Sequence, residues 1–299
     1  MNLLVTGAWS TAKENIAKIE SMGCHVVFQQ QEKEKLPCSY EWVEGVICNG
    51  LFLSHPIERF INLRYIQLTS AGFDRIPMEY VREHQIEIHN ARGVYSIPMA
   101  EFAVAGILQI YKGMRGFTEN QRQHSWEKNR SLLELSGKNV CIIGCGSVGT
   151  ECAKRFQAFG CNVVGVALVP GKDRNYNEIV LLCSLEKILP VADIVVLTVP
   201  LTEGTRHFMN AERFAVMKRD AIIVNIARGG VVDTDALLAA LPKLGGAVLD
   251  VFEEEPLDAS SPLWDLENVV ITPHNAFVGE HNQERLAEVI IGNLSASGR

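Results

Sequence analysis

Short runs rich in β-branched and apolar residues alternate along this chain with longer stretches whose apolar residues recur at helical spacing. The runs fall at residues 3–6, 25–28, 45–48, 65–68 and 86–89, and the stretch 12–22 shows the helical spacing between two of them. Such alternation predicts parallel strands joined by crossover helices. A second series follows at 139–143, 162–166, 194–198, 221–226, 247–251 and 269–272. Two α/β units in succession are therefore expected, each a doubly wound parallel sheet. Between the series, 98–117 is strongly apolar and opens on Pro98, a residue suited to a first helical turn. This spacing predicts one long helix leading from the first unit to the second. The polar stretch 118–130 then reads as an exposed arm. After the last strand only 280–294 is helix-sized, and its economical place is back on the first unit.

Composition narrows the function classes. The 299 residues carry 28 Lys+Arg against 35 Asp+Glu, a net charge of −7, and 47% are hydrophobic. An acidic chain with no basic stripe offers no footprint for nucleic acid or an anionic membrane, which leaves small molecules as the expected ligands. Apolar runs such as 193–200 are strand-sized, far short of the roughly 20 residues of a membrane span. The first strand begins almost at Met1, leaving no room for a secretory leader, so a cytoplasmic protein is expected. Its eight cysteines, at 24, 38, 48, 141, 145, 152, 161 and 183, show no zinc-like spacing. They read as reduced, mostly buried small hydrophobes, with no metal site.

A strand running into Gly144, Cys145, Gly146, Ser147, Val148 and Gly149, with helix-like 150–159 behind it, forms a G-x-G-x-x-G turn in its required context. Amides at that helix N-terminus face a pyrophosphate. Gly144 permits the tight turn, Gly146 the close approach of phosphate, and Gly149 the packing of helix on strand. Val148 occupies a place where a methyltransferase typically has glycine. The next strand ends at Ala167, where an NAD-binding unit would place the Asp or Glu that holds the ribose hydroxyls. Lys172 and Arg174 in the following loop are placed to pair with a 2′-phosphate. NADP(H) is thus slightly favoured over NAD(H).

In an open parallel sheet, ligands bind beyond the carboxyl ends of the strands. Arg228 follows one predicted strand, Asp250 and the acidic run 253–255 follow the next, and His274 follows the last. An Arg, a Glu and a His at three strand ends suit reduction of a 2-keto acid. The guanidinium holds the carboxylate and polarises the carbonyl, the imidazole donates a proton to the oxygen, and a carboxylate partner favours the imidazolium and fixes its orientation.

With these residues the sequence resembles the D-isomer-specific 2-hydroxyacid dehydrogenase family along essentially its whole length. The motifs are 70–74 (SAGFD), 144–149, 199–202 (VPLT), 225–229 (NIARG), 249–256 (LDVFEEEP) and 272–274 (TPH). The resemblance implies a Rossmann cofactor domain at 98–274 and a smaller flavodoxin-like substrate domain made of 1–97 and 275–299. It implies that Arg228, Glu255 and His274 are catalytic, that Asp250 binds the nicotinamide carboxamide, and that Cys145, Ser147, Val148, Pro200 and Ala227 line the cofactor. The backbone near Ala71 and Gly72 would hold the substrate carboxylate, leaving Glu253 and Glu254 as solvated loop residues. The implied reaction reduces a 2-keto acid, similar to glyoxylate or hydroxypyruvate or larger, to a D-2-hydroxy acid. A homodimer is also implied, with the arm 118–130 and its Trp126 as a candidate contact.

The chain departs from the family pattern at Ala167, and again at 90–95 (NARGVY), where relatives look like Asn-x-Pro-Gly. That second departure turns Arg92 and Tyr95 toward the substrate pocket, with Arg92 suited to a second anionic group. The alternative is a non-catalytic NAD(P)-sensing protein of the same fold, similar to transcriptional corepressors. A short-chain dehydrogenase fits less well, because no Tyr-x-x-x-Lys occurs.

Overall fold

A computed structural model describes residues 1–297. The chain divides into two compact units, one made of Met1–Tyr95 with the chain from Gly279 onward, the other of Ser96–Val278.

The first unit opens with β1 (Asn2–Thr6), α1 (Ala12–Ser21) and β2 (His25–Gln29). It continues with β3 (Gly45–Cys48), β4 (Tyr65–Leu68), α2 (Met78–Glu83) and β5 (Glu87–His89). All five strands pair in parallel in the order β2-β1-β3-β4-β5. Alternate residues of a strand face opposite sides of a sheet. Leu4, Val46 and Ile66 accordingly join one core, and Leu3, Val5, Ile47 and Tyr65 the other. The chain reverses its winding between β1 and β3, so the loops after these two strands diverge to opposite faces.

The second unit begins with α3 (Ser96–Tyr111) and α4 (Met114–Arg122). The predicted single helix over 98–117 is thus two helices, because Gly113 between them adopts left-handed backbone at φ 59° and ends the first. Residues 118–122 of the expected arm belong to α4, and 123–134 carry neither helix nor strand. Then follow β6 (Asn139–Ile143), α5 (Ser147–Ala158), β7 (Asn162–Ala167), β8 (Glu178–Leu181) and α6 (Leu185–Ile188). The rest of the unit is β9 (Ile194–Leu197), α7 (Ala211–Val216), β10 (Ile222–Asn225), α8 (Thr234–Ala240), β11 (Gly246–Leu249) and β12 (Val269–Ile271). Seven parallel strands pair in the order β12-β11-β10-β9-β6-β7-β8. The one strand that the sequence pattern does not predict, β8, lies at the sheet edge and exposes Glu178 and Leu181, so it lacks the apolar run of a buried parallel strand. By contrast β9, β10 and β11 are buried throughout. Helix α3 lies close on this sheet because Gly106 has no side chain: a Cβ there would stand 2.4 Å from Cγ1 of Val248.

The last helix, α9 (Asn282–Ser297), belongs to the first unit. Its buried Leu286, Ile290 and Leu294 recur every four residues and pack with Leu3, Val5 and Ile47, each contributing about 1.5–3 kcal/mol of apolar burial. Polar ties fix its rotation: the Arg285 guanidinium donates from Nε to the Val94 carbonyl at 2.8 Å, and Asn293 donates to Gln67 Oε1 at 2.8 Å. Among the described residues no helix is long and apolar enough to cross a membrane.

Candidate active site

The glycine turn sits where the second sheet changes its winding direction, between β6 and β9. Gly144 takes φ 103°, a conformation that favours glycine. A Cβ on Gly149 would fall 2.0 Å from the Gly144 carbonyl oxygen, so only hydrogen lets α5 approach β6 this closely. The Thr198 hydroxyl, just past β9, donates to the Gly144 carbonyl at 2.7 Å and closes the turn from the neighbouring strand. Gly146 differs from both: nothing lies within 4 Å of the place its Cβ would occupy. It is also the N-cap of α5, and its residue supplies no side chain to cap the first-turn amides. Open space in front of uncapped amides at a twelve-residue helix fits a dinucleotide phosphate.

Around this turn, the Cys145 thiol rests on β7, where a Cβ on Gly165 would stand 2.5 Å from its sulfur. Burial pushes that thiol up, which keeps it in the unreactive protonated form. Ala167 ends β7 half-buried, while Lys172 and Arg174 are exposed in the loop that follows. The Asp173 carboxylate between them accepts from the Asn175 amide at 2.9 Å and from its side chain at 2.6 Å. Pro200 is exposed after β9, and Ala227, buried after β10, donates its amide to Asn225 Oδ1.

At the far strands, Arg228 follows β10 in extended backbone and donates from Nη1 to the Ala227 carbonyl at 2.7 Å. Asp250, 2% exposed, follows β11. Its Oδ1 accepts from the Thr272 hydroxyl and the Asn275 amide, its Oδ2 from the Ala276 amide, and its own carbonyl from the His274 amide. A buried carboxylate thus folds the turn that presents His274, whose φ of 51° is left-handed. Nδ1 of His274 lies 2.8 Å from Oε2 of Glu255. The other carboxylate oxygen of Glu255 accepts from the Phe252 amide at 3.1 Å. Both side chains keep solvent access, 42% for His274 and 36% for Glu255. With Nδ1 engaged by a carboxylate, Nε2 is the atom left to exchange a proton with a ligand.

In the first unit, the carbonyl of Ala71 accepts from Asn90 and that of Gly72 from the Ser70 hydroxyl. Among the described residues, the amides of Ala71 and Gly72 donate to no protein acceptor. Arg92 is exposed, its amide turned to Asn90 Oδ1. Tyr95 is half-buried and its hydroxyl donates to the Thr69 carbonyl just past the end of β4. Burial pushes its phenol up.

A family model described as "D-isomer specific 2-hydroxyacid dehydrogenase, NAD binding domain" matches residues 104–276. The chain belongs to the D-isomer-specific 2-hydroxyacid dehydrogenase family. It is similar to a (S)-sulfolactate dehydrogenase of Chromohalobacter salexigens, 35% identical over 242 residues that cover 80% of this chain and 78% of the relative. It is 34% identical to a glyoxylate reductase of Korarchaeum cryptofilum, over 96% of this chain and 90% of that one. Among solved structures, a D-isomer-specific 2-hydroxyacid dehydrogenase from Xanthobacter autotrophicus, in complex with NADPH and MES, superposes with a TM-score of 0.79 at 28% identity, over 99% of this chain and 95% of that one. The family supports a nicotinamide cofactor and a 2-hydroxy or 2-keto acid substrate.

The structure refines two sequence expectations. Glu253 is exposed in its loop, as expected, but its carboxylate is held by partners: it meets His207 Nε2 at 2.5 Å and accepts from the Thr234 amide at 2.9 Å. The cysteines are less uniformly buried than expected: 48, 141, 152 and 161 are buried, 24, 38 and 145 half-buried, and Cys183 exposed, all with free thiols. The sequence pattern also gives no role to Thr198, whose only signal is a hydroxyl just after a strand, and marks Thr272 only as the first residue of the motif at 272–274. Among the described residues no His, Cys, Asp and Glu cluster to hold a metal.

The glycines separate fold from cofactor binding. Gly149→Ala is expected to misfold the second unit, since its Cβ meets backbone at 2.0 Å. Gly146→Ala should leave the thermal transition in place yet weaken NAD(P)H binding, read by nicotinamide fluorescence, on the order of tenfold or more. Unchanged binding by Gly146→Ala would remove the turn from the phosphate site.

Proposed function

We propose that the protein reduces a 2-keto acid to the D-2-hydroxy acid. The His274–Glu255 pair carries this reading, since it supplies an oriented proton donor at a strand end, in the same unit as Arg228 and the glycine turn. A bound nicotinamide dinucleotide supplies the hydride that reduces the carbonyl carbon. Arg228 holds the substrate carboxylate and draws charge from the carbonyl. His274 gives the proton on Nε2 to the carbonyl oxygen as the alkoxide develops, and Glu255 on Nδ1 stabilises the imidazolium from which the proton leaves. In the first unit, the amides of Ala71 and Gly72 are our candidates for binding a substrate carboxylate. Asp250 is the candidate for the nicotinamide carboxamide, a role it would combine with folding the His274 turn. Glyoxylate, hydroxypyruvate or a larger 2-keto acid is the assigned substrate class. The exposed Arg92 and the similarity to a sulfolactate dehydrogenase favour including one with a second anionic group.

The absence of a carboxylate at Ala167, with Lys172 and Arg174 exposed nearby, supports NADP(H) slightly over NAD(H). Eight free thiols support a cytoplasmic protein. For the assembly we assign a homodimer formed through the arm. Trp126 there is 94% exposed, and a groove of about 690 Å³ lined by Phe117, Trp126 and Arg130 contains none of the catalytic candidates. A tryptophan so exposed is a natural anchor for a partner surface.

Oxidation of NADPH and NADH over a panel of glyoxylate, hydroxypyruvate, pyruvate and bulkier or doubly anionic 2-keto acids tests the activity. Turnover is expected, and His274→Ala should lower kcat by about 10²–10⁴-fold with cofactor binding intact. Tight cofactor binding without turnover of any of these acids would favour a sensor. Ala167→Asp should shift the NADPH to NADH preference toward NADH on the order of tenfold, by like-charge repulsion; an unmoved ratio would exclude this strand end from the choice. Light scattering should give twice the chain mass, falling toward one chain in Trp126→Glu, and a wild-type monomer would refute the dimer.

A further inference from the structure

A second histidine–carboxylate pair lies in the same unit, and it reaches both loops that carry the catalytic candidates. His207 sits in left-handed backbone at φ 48° between β9 and α7. Its amide donates to the Gly230 carbonyl at 2.8 Å, and two residues later the Met209 amide donates to Val231 at 3.0 Å. The 207–209 segment therefore runs as a short parallel ladder beside the residues immediately after Arg228. From this main-chain attachment the His207 side chain crosses to the next loop, where Nε2 meets Glu253 Oε1 at 2.5 Å. The second oxygen of Glu253 accepts from both the amide and the hydroxyl of Thr234, at the first turn of α8. Burial alone would push the Glu253 carboxyl up; hydrogen bonds from Thr234 and His207 outweigh it and hold it below the usual carboxylate range. An ionised Glu253 thus accepts from two sides.

The two loops it joins also touch directly. A Cβ on Gly229 would fall 1.8 Å from the Phe252 carbonyl carbon, so the residue after Arg228 lies flat against the backbone before Glu253. Main-chain contact of this kind sets a distance but leaves the loops able to slide along each other. The Glu253 carboxylate, pinned on one oxygen by His207 and on the other by Thr234, removes that freedom. Two residues further on, the same turn directs the Phe252 amide to Glu255 Oε1 and leaves Glu255 Oε2 for His274.

We infer that His207 and Glu253 form a clasp that positions Arg228 and the Glu255–His274 pair in common register. Both are positioning residues, acting through the loops they join. The inference rests on the catalytic reading of Arg228, Glu255 and His274, but its decisive measurement does not need turnover.

That measurement is the tautomer of the His274 ring, read by long-range ¹H–¹⁵N correlation well above neutral pH and assigned by its loss in His274→Gln. A carboxylate on Nδ1 selects the Nδ1–H form of the neutral ring, so this form should dominate in the wild type. In His207→Ala the loosened Glu255 should release the ring toward a mixture of tautomers. His207→Gln, whose Nε2 can still donate to Glu253, should restore the wild-type pattern. Alongside, kcat/KM should fall about ten- to a hundredfold in His207→Ala and recover in His207→Gln, while NAD(P)H binding stays unchanged. A folded His207→Ala that keeps the wild-type tautomer overturns the clasp. Should His207→Ala not fold, Thr234→Val, which deletes only the hydroxyl donor, must show the same change in smaller degree or the clasp is overturned. A wild type that turns over no 2-keto acid removes the catalytic reading, and the tautomer comparison still decides the clasp.

Discussion

Parallel pairing makes every strand of a sheet end on the same edge, and the candidate chemistry of this protein depends on that constraint. In the second unit, the glycine turn after β6, Thr198 after β9, Arg228 after β10, Asp250 after β11 and His274 after β12 all stand at carboxyl ends of one sheet. Residues more than a hundred positions apart in the chain are brought to one rim without any of them having to attract another. Three of the strands that carry them, β9, β10 and β11, are buried throughout and cannot shift register without displacing their apolar side chains from the core.

Strand ends do not by themselves aim side chains. Here the loops beyond them are organised by two carboxylates that water reaches only in part or hardly at all. Asp250 gathers one hydroxyl and two amides of the 272–276 segment, which leaves His274 no choice but left-handed backbone. Glu253 gathers His207 and Thr234 and so ties three separate segments. Each hydrogen bond to an ionised acceptor is worth about 1.5–3 kcal/mol, enough to hold a short loop against its conformational freedom of about 1–2 kcal/mol per residue. Glycine completes the arrangement at Gly149 and Gly229, where backbone meets backbone at distances no side chain would permit.

Features written in consecutive residues are legible in the sequence itself. The strand and helix alternation, the turn at Gly144 to Gly149 and the polar groups after each strand follow from local pattern, because strand period, helix period and glycine's backbone freedom are local properties. Features that do not show are weak locally. The edge strand β8 exposes its ends and carries too short an apolar signal. The break at Gly113 hides in an apolar stretch, since glycine is tolerated inside helices as well as at their ends.

The acidic run Glu253, Glu254 and Glu255 shows where that legibility stops. By itself the sequence determined that carboxylates follow the strand now seen as β11, that an arginine and a histidine follow its neighbours, and that a dinucleotide turn begins the unit. Three adjacent, chemically identical side chains are not separated by local chemistry; the resemblance singles out Glu255 before the proline and gives Glu253 no partner. Glu255 does meet His274, but only the tertiary structure decided that Glu253 meets His207, 46 residues away in the chain. The physical reason is that a hydrogen bond acts over about 3 Å, and which carboxylate comes within that reach depends on the path of the turn at Phe252 and on the loop packed against it at Gly229.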